Sequence, residues 1–219
     1  MEGDVVNPHG VHVHLHHGDL PAGASFGASV AVDTETTGLN PHRDRLCLVQ
    51  LSGGDGICHL VHFPPTRRTG GAAYAAPNLK ALLADERVVK LFHFARFDVG
   101  ILYRWLGVMS VPVYCTKIAS RLVRTYTDRH GLKDLCRELL GVELSKEQQS
   151  SDWGAETLTP EQLQYAAGDV LWLHGLREKL DTMLQREGRR DLAHACFGFV
   201  PHRARLDLEG WAEQDIFAY

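Results

Sequence analysis

VAVDTETTGL, residues 30–39, joins an apolar run to alternating acids and hydroxyls and stops at a glycine–leucine turn. A short apolar run bounded by turn residues reads as a buried strand. Residues two apart on a strand project to the same face, so Asp33 and Glu35 stand side by side at its end. Two carboxylates so placed repel each other unless a cation lies between them or water screens them. On this DxE pair alone, a solvated strand end and a metal site both remain open.

Outward from that strand the pattern repeats. SVAVD (29–33), LCLVQLS (46–52) and GICHLVHF (56–63) are strand-like, separated by Gly38-Leu39-Asn40-Pro41 and Gly53-Gly54-Asp55-Gly56. Turns this short predict an antiparallel meander. PPTRRTGGAAYAAP (64–77) reads as a loop, NLKALLAD (78–85) as a short helix and VVKLFHF (88–94) as a strand. Helices then dominate: 95–107, with Phe97, Ile101, Leu102 and Trp105 at helical spacing, then 115–126, 130–141 and 159–188. Thr159 is placed to cap the last of these, with Pro160 at its first position. The order predicts an α/β fold, a mixed five-stranded sheet with an antiparallel meander flanked by helices. Residues 1–13 read as a flexible lead-in and 14–219 as one domain.

With 219 residues, 44% of them hydrophobic, the chain can bury one well-packed core. It carries no apolar run of membrane-spanning length and no basic segment leading into an apolar signal region. Five scattered cysteines without a CxxC pair fit reduced thiols in a cytoplasmic protein better than a disulfide frame or a zinc knuckle. A net charge of −4 argues against a protein that coats long nucleic acid, yet leaves a short substrate at a local site open. In HVHLHH, His12, His14 and His16 share one side if the segment is extended. An exposed first strand accounts for them better than a metal site, because no Cys or carboxylate is interleaved at ligand spacing.

Two more elements join the DxE pair. In HFARFDVGIL, Asp98 stands one turn into a helix that follows a hydrophobic strand. Alone, it serves as well to stabilise the helix N-terminus by about 0.3–1 kcal/mol. In YAAGDV, Tyr165 and Asp169 are four apart and share a helix face, with Gly168 between them at a cost of about 1 kcal/mol relative to Ala. That cost is tolerated where something must approach closely.

Together these elements resemble the DEDD exonuclease superfamily in its tyrosine-bearing branch. HFARFD, KDL, LLGVELSKEQQSSDW and YAAGDVLWL resemble the ribonuclease D family. GDLP (18–21), LNPHRDRLCLVQLS, VYCTKIASRLVRTYTDRHGLKDL and RARLDLEGWAEQDIFAY resemble its dinucleotide-degrading nano-RNase C group, so the likeness runs from residue 14 to the C-terminus. The resemblance implies a ribonuclease H-like exonuclease fold without an HRDC-type accessory domain. It implies a 3′-5′ exoribonuclease that hydrolyses short RNA, dinucleotides above all, to nucleoside 5′-monophosphates at the end of RNA decay. A broader exonuclease on RNA 3′ ends or DNA is the alternative. The expected assembly is a ring-like homo-oligomer, an octamer.

The implied catalytic set is Asp33, Glu35, Asp98, Tyr165 and Asp169. Its four acids would hold two divalent cations, Mg2+ or Mn2+, which take oxygen ligands. Asp33 would bridge the pair, Glu35 and Asp169 complete one site, and Asp98 hold the other. Two ions about 3.5–4 Å apart activate a water and stabilise the leaving 3′-oxygen. Tyr165, with an ordinary phenol pKa of about 10, would orient that water rather than fully deprotonate it.

Thr34, Leu39, His93 and Phe97 are the neighbouring substrate candidates. Leu39 either wedges between two bases, as the resemblance implies, or lies as a core leucine under its turn. His93 and Phe97 contact a base or ribose, or else pack in the core. Arg121, Arg124, Arg129, His130 and Lys133 crowd one stretch around Tyr126, and Gln149 and Ser150 lie in QQSSDW. From these, Arg124, Tyr126, His130, Gln149 and Ser150 are the substrate-binding candidates, a cap on the 5′-phosphate, against the plainer reading of a solvated charged turn. Trp153 reads as an anchor of its loop. The aromatic tail with Phe197, Phe199, Trp211, Ile216 and Phe217 is expected to pack on its own domain or on a neighbour.

Overall fold

A computed structural model describes residues 4–6, 12–65, 74–145, 148 and 150–218. The strands are β1 (Asp4–Val6), β2 (His12–His17), β3 (Ser29–Thr36), β4 (Leu46–Ser52), β5 (Ile57–His62), β6 (Val89–Phe92) and β7 (Val113–Cys115). They form one sheet in the order β1-β2-β5-β4-β3-β6-β7. The helices are α1 (Pro77–Ala84), α2 (Ala95–Leu106), α3 (Thr116–Val123), α4 (Leu132–Leu135), α5 (Pro160–Leu171), α6 (Leu173–Arg186) and α7 (Arg190–Leu206). A π turn at Cys136–Leu140 extends α4, and a second at Asp207–Trp211 extends α7.

The expected meander is present as antiparallel β3–β4–β5, and the fold class is α/β as expected. The sheet has seven strands rather than five. Asp4–Val6, inside the stretch read as a lead-in, pairs antiparallel with β2, which in turn runs parallel to β5. β7 spans only three residues, too short for alternation to announce it. Every residue of β4 is buried, as an interior strand covered on both sides requires.

Thr159 caps α5 with a reciprocal box: its hydroxyl accepts from the Gln162 amide at 3.3 Å, and Gln162 Oε1 accepts from the Thr159 amide at 2.9 Å. The helix expected over 159–188 breaks at Trp172, whose backbone stays near-helical (φ −98°, ψ −7°) and so leaves no Gly or Pro signal in the sequence. The tail begins as α7, not anticipated because Gly198 and Pro201 interrupt its composition. Its buried Ala193, Phe197, Val200 and Ala204 nevertheless keep helical spacing against the core. α5 lies across β3, β4 and β5, while α2 packs on α7 and α3 on α6.

Candidate active site

Asp33 and Glu35 leave β3 on one face, just before a bulge between Glu35 and Thr36. β3 and β6 are parallel neighbours, so the chain leaving β6 enters α2 beside the end of β3 and delivers Asp98 there. Thr34 Oγ1 donates to Asp98 Oδ1 at 2.7 Å. α5, laid over the same strands, brings Tyr165 and Asp169 one turn apart. Oxygens of Asp33, Glu35 and Asp169 all lie within 4.8 Å of one another.

These acids burden each other. Burial raises Asp33 to about 7, against a backbone hydrogen bond that lowers it. Burial, followed by Asp33, Asp169 and Asp98, raises Glu35 to about 10. Asp98 and Asp169 are both pushed well above the carboxylate range, by burial and then by Asp33. Carboxylates arranged like this ionise together only beside added positive charge, and an all-oxygen donor set suits a hard divalent ion. The residues present therefore fit a divalent metal centre.

Tyr165 is half-buried and its hydroxyl is raised above its ordinary value, by burial first and then by Asp169, Glu35 and Asp33. It stays a phenol at neutral pH. Its ring lies 6.0 Å from that of Trp153, which is buried as expected. Arg45 fixes the loop that carries Trp153, donating through Nη1 to the Phe63 carbonyl at 2.9 Å and through Nη2 to the Gly154 carbonyl at 2.6 Å. Gln162 Nε2 adds bonds to Ser151 Oγ at 3.0 Å and to the Asp152 carbonyl at 3.2 Å.

The substrate candidates divide. Leu39 is 83% exposed, so it is not a core leucine. Its turn is held from behind: the Asn40 amide donates to Asp44 Oδ2 at 2.9 Å, and a Cβ on Gly38 would stand 2.4 Å from that same oxygen. Phe97 is half-buried and shares with Leu39 a hollow of about 810 Å³, lined also by Ala204, Asp207 and Leu208. Thr34 spends its hydroxyl on Asp98. His93 is held down at about 3 by burial, and its Nδ1 lies 2.9 Å from Thr116 Oγ1, so it is a neutral, tethered imidazole.

Arg124, expected to face a phosphate, is fully buried. Its guanidinium bonds Ser120 Oγ at 3.1 Å, the Arg129 carbonyl at 2.6 Å and the Glu138 carboxylate. It braces the 124–138 segment instead of meeting ligand. His130 is half-buried with Nδ1 2.8 Å from Ser120 Oγ, whereas Tyr126 and Ser150 are exposed. Gln149 lies outside the described residues.

Sequence reasoning passed over Gln50. It is fully buried directly opposite Asp33 on β4, and its Nε2 donates to Asp33 Oδ2 at 3.1 Å. An amide in the middle of the apolar run LCLVQLS, one strand from the DxE pair, was the available signal.

A family profile described as 3′-5′ exonuclease matches residues 20–185. The chain belongs to the 3′-5′ exonuclease family. The exonuclease is 35% identical over 162 residues to a ribonuclease D of Acidiphilium cryptum, covering 74% of this chain and 39% of that protein. It thus spans about two fifths of the length of that curated relative. Among solved structures, Brucella melitensis NrnC superposes with a TM-score of 0.88 at 54% identity, covering 94% of this chain and 98% of that one. Further structures of that protein carry bound pGG and bound Mg2+. Escherichia coli RNase D, at 25% identity and a TM-score of 0.69, covers 85% of this chain and 48% of its own. The likeness to ribonuclease D expected from the motifs is thereby shown.

Proposed function

We propose that this exonuclease hydrolyses short RNA, dinucleotides above all, from the 3′ end to nucleoside 5′-monophosphates with two divalent ions, finishing RNA decay in the cytoplasm. The observation that carries the reading is the cluster of Asp33, Glu35 and Asp169, with Asp98 and Tyr165 near enough to feel its charge, while Phe97, the residue before Asp98, lines a hollow with exposed Leu39. The pGG held by Brucella NrnC, similar over almost its whole length, supports a substrate of that size.

Asp33 would bridge the ions, Glu35 and Asp169 would complete one site, and Asp98 would hold the other through water. The ions supply charge neutralisation at the phosphate and a water acidic enough to attack. Tyr165, as a phenol, holds that water by hydrogen bonding while the P–O3′ bond breaks and the upstream nucleotide leaves with its 3′-hydroxyl. Gln50 and Thr34 fix Asp33 and Asp98 in place. Leu39, held outward on its turn, separates the two bases, and Phe97 walls the hollow. Exposed Tyr126 and Ser150, with half-buried His130, supply the 5′-phosphate cap. Among the described cysteines four are buried and Cys196 is half-buried, all as free thiols, which accords with a reducing compartment.

Residues 14–219 act as one domain in this reading. A homo-oligomeric ring, an octamer, belongs to this reading, and exposed Phe199 on α7 with Trp211, Ile216 and Phe217 beyond it offers apolar surface for contacts between copies. Light scattering reads the mass directly, and a monomer at working concentration would refute the ring.

The deciding experiment is a length series of 5′-labelled RNAs from two to seven nucleotides with Mg2+, alongside matched DNA. A rate that falls steeply beyond the dinucleotide is expected. Equal rates at all lengths would replace this reading with a broader ribonuclease D-like exonuclease acting on RNA 3′ ends or DNA.

A further inference from the structure

The histidines of β2 acquire a partner that the linear sequence does not show. His14 and His59 are direct partners in the parallel β2–β5 pairing. Their rings stand 5.3 Å apart, and His16, two residues along β2, stands 5.3 Å from the His59 ring. His16 Nε2 and His59 Nδ1 approach to 3.0 Å. The rings of His14 and His16 are 6.5 Å apart. Asp33, Gln50 and Leu60 are consecutive cross-strand partners and mark the catalytic face of the sheet. His59, one residue before Leu60, points to the other face, and the trio lies there with it.

We propose that His14, His16 and His59 form a second metal site, for a borderline divalent ion such as Zn2+, distinct from the carboxylate centre. Three imidazoles sharing a tetrahedral ion at Zn–N distances of about 2.0–2.1 Å place their ring centroids about 5 Å apart. Two of the three separations already match, and the third, 6.5 Å between His14 and His16, would have to shorten on binding. Two ligands spaced i, i+2 on one strand face a third on its neighbour, and the three ring nitrogens would have to draw closer by side-chain rotation to share an ion. Metal binding needs the three imidazoles in their neutral form. The Phe26 ring, edge-on to His59 at 5.3 Å, forms an apolar wall. All-nitrogen donors disfavour Mg2+ and suit Zn2+, Ni2+ or Cu2+, so the two centres would sort ions by chemistry. A bound ion would tie outer strand β2 to β5 and keep one coordination position for water.

The test uses the full chain carrying Asp33→Asn and Asp169→Asn, so that the carboxylate centre does not compete, loaded with Co2+ and desalted. One retained equivalent with the intense visible bands of tetrahedral Co2+ is expected. It should be displaced by Zn2+ and lost in His14→Ala and His16→Ala. His59→Ala should lose it too. If that variant unfolds by circular dichroism, the His14 variant, altered at a half-buried position, carries the test. On the otherwise native chain, His14→Ala should leave Mg2+-dependent hydrolysis unchanged and abolish the rise in melting temperature that Zn2+ produces. No retained Co2+, or equal retention by the variant lacking all three histidines, would overturn the site.

Discussion

Gln50 reaches across the sheet to Asp33: its Nε2 donates to Oδ2 at 3.1 Å from the directly opposed position on β4. The acid read as the bridge between two ions therefore has one oxygen oriented by a fully buried amide. Removing such outer partners of metal ligands typically costs about 10–100-fold in metal affinity or activity. Gln50→Leu, close in volume, is expected to raise the Mg2+ concentration needed for half-maximal rate by about that factor. A metal titration at saturating dinucleotide checks it, and an unchanged midpoint would leave the amide a packing group only.

Metal-free protein should lose stability as pH rises. Asp33 and Glu35 hold their protons to about 7 and about 10 when folded, well above their ordinary values. Folded protein thus binds protons that the unfolded chain has already released, and this contribution fades as pH climbs through the folded values. Above pH 7 His62 and His93, both shifted down, are neutral in either state, and Lys90, lowered to about 8 by burial, opposes the trend by one proton that Glu35 with the raised Asp98 and Asp169 outweighs. In EDTA the melting temperature is expected to fall from pH 7 to 9, as stability drops by at most about 1.4 kcal/mol per pH unit for each proton held in excess. Saturating Mg2+ should flatten the slope, and a flat profile without metal would contradict the shifts.

Tyr165→Phe keeps the ring that stands 6.0 Å from Trp153 and removes only the hydroxyl. The fold and KM should barely change, while kcat falls about 100-fold, the scale on which losing the alignment of a reacting group is felt. Single-turnover rates on a dinucleotide separate the two effects. Wild-type kcat would remove Tyr165 from the mechanism.

How much of this was legible in the sequence follows from which residues carry local signals. The DxE pair, the Asp after β6 and the Tyr-x3-Asp spacing are short-range patterns, and in the fold Asp33, Glu35 and Asp169 converge while Asp98 and Tyr165 come near enough to feel their charge. Thr159 announced its cap because Gln162 completes the box three residues on. Arg124 misled because charge density in RLVRTYTDRH is visible in one dimension, while the pocket made by Ser120, Arg129 and Glu138 that buries it is not. β1 and β7 are three residues each, too short for periodicity, and parallel pairing of β2 with β5 leaves no trace along the chain. For the same reason the association of His59 with His14 and His16 was invisible.

Leu39→Ala separates binding from folding. The side chain is 83% exposed, so truncation should change stability by no more than about 0.5 kcal/mol. If Leu39 separates the two bases of a bound dinucleotide, KM should rise about 10-fold with kcat little altered. A dinucleotide Kd measured in Ca2+ gives the same comparison without turnover. Unchanged affinity would assign Leu39 to solvent alone.

Gly168 sets stability against function at one atom. It lies inside α5, and apart from its chain neighbours and the helix's own backbone no atom comes within 4 Å of the place a Cβ would take. Its backbone is helical, so alanine fits without strain and should stabilise the protein by about 0.4–1 kcal/mol through the unfolded chain. Yet Gly168 directly precedes Asp169 on the helix that supplies the site, and a glycine kept at that cost makes sense if substrate passes close by. The expected outcome for Gly168→Ala is a higher melting temperature together with a raised KM for dinucleotides and unchanged Mg2+ dependence. A variant more stable and equally active would show that the open space beside α5 is not on the substrate's path.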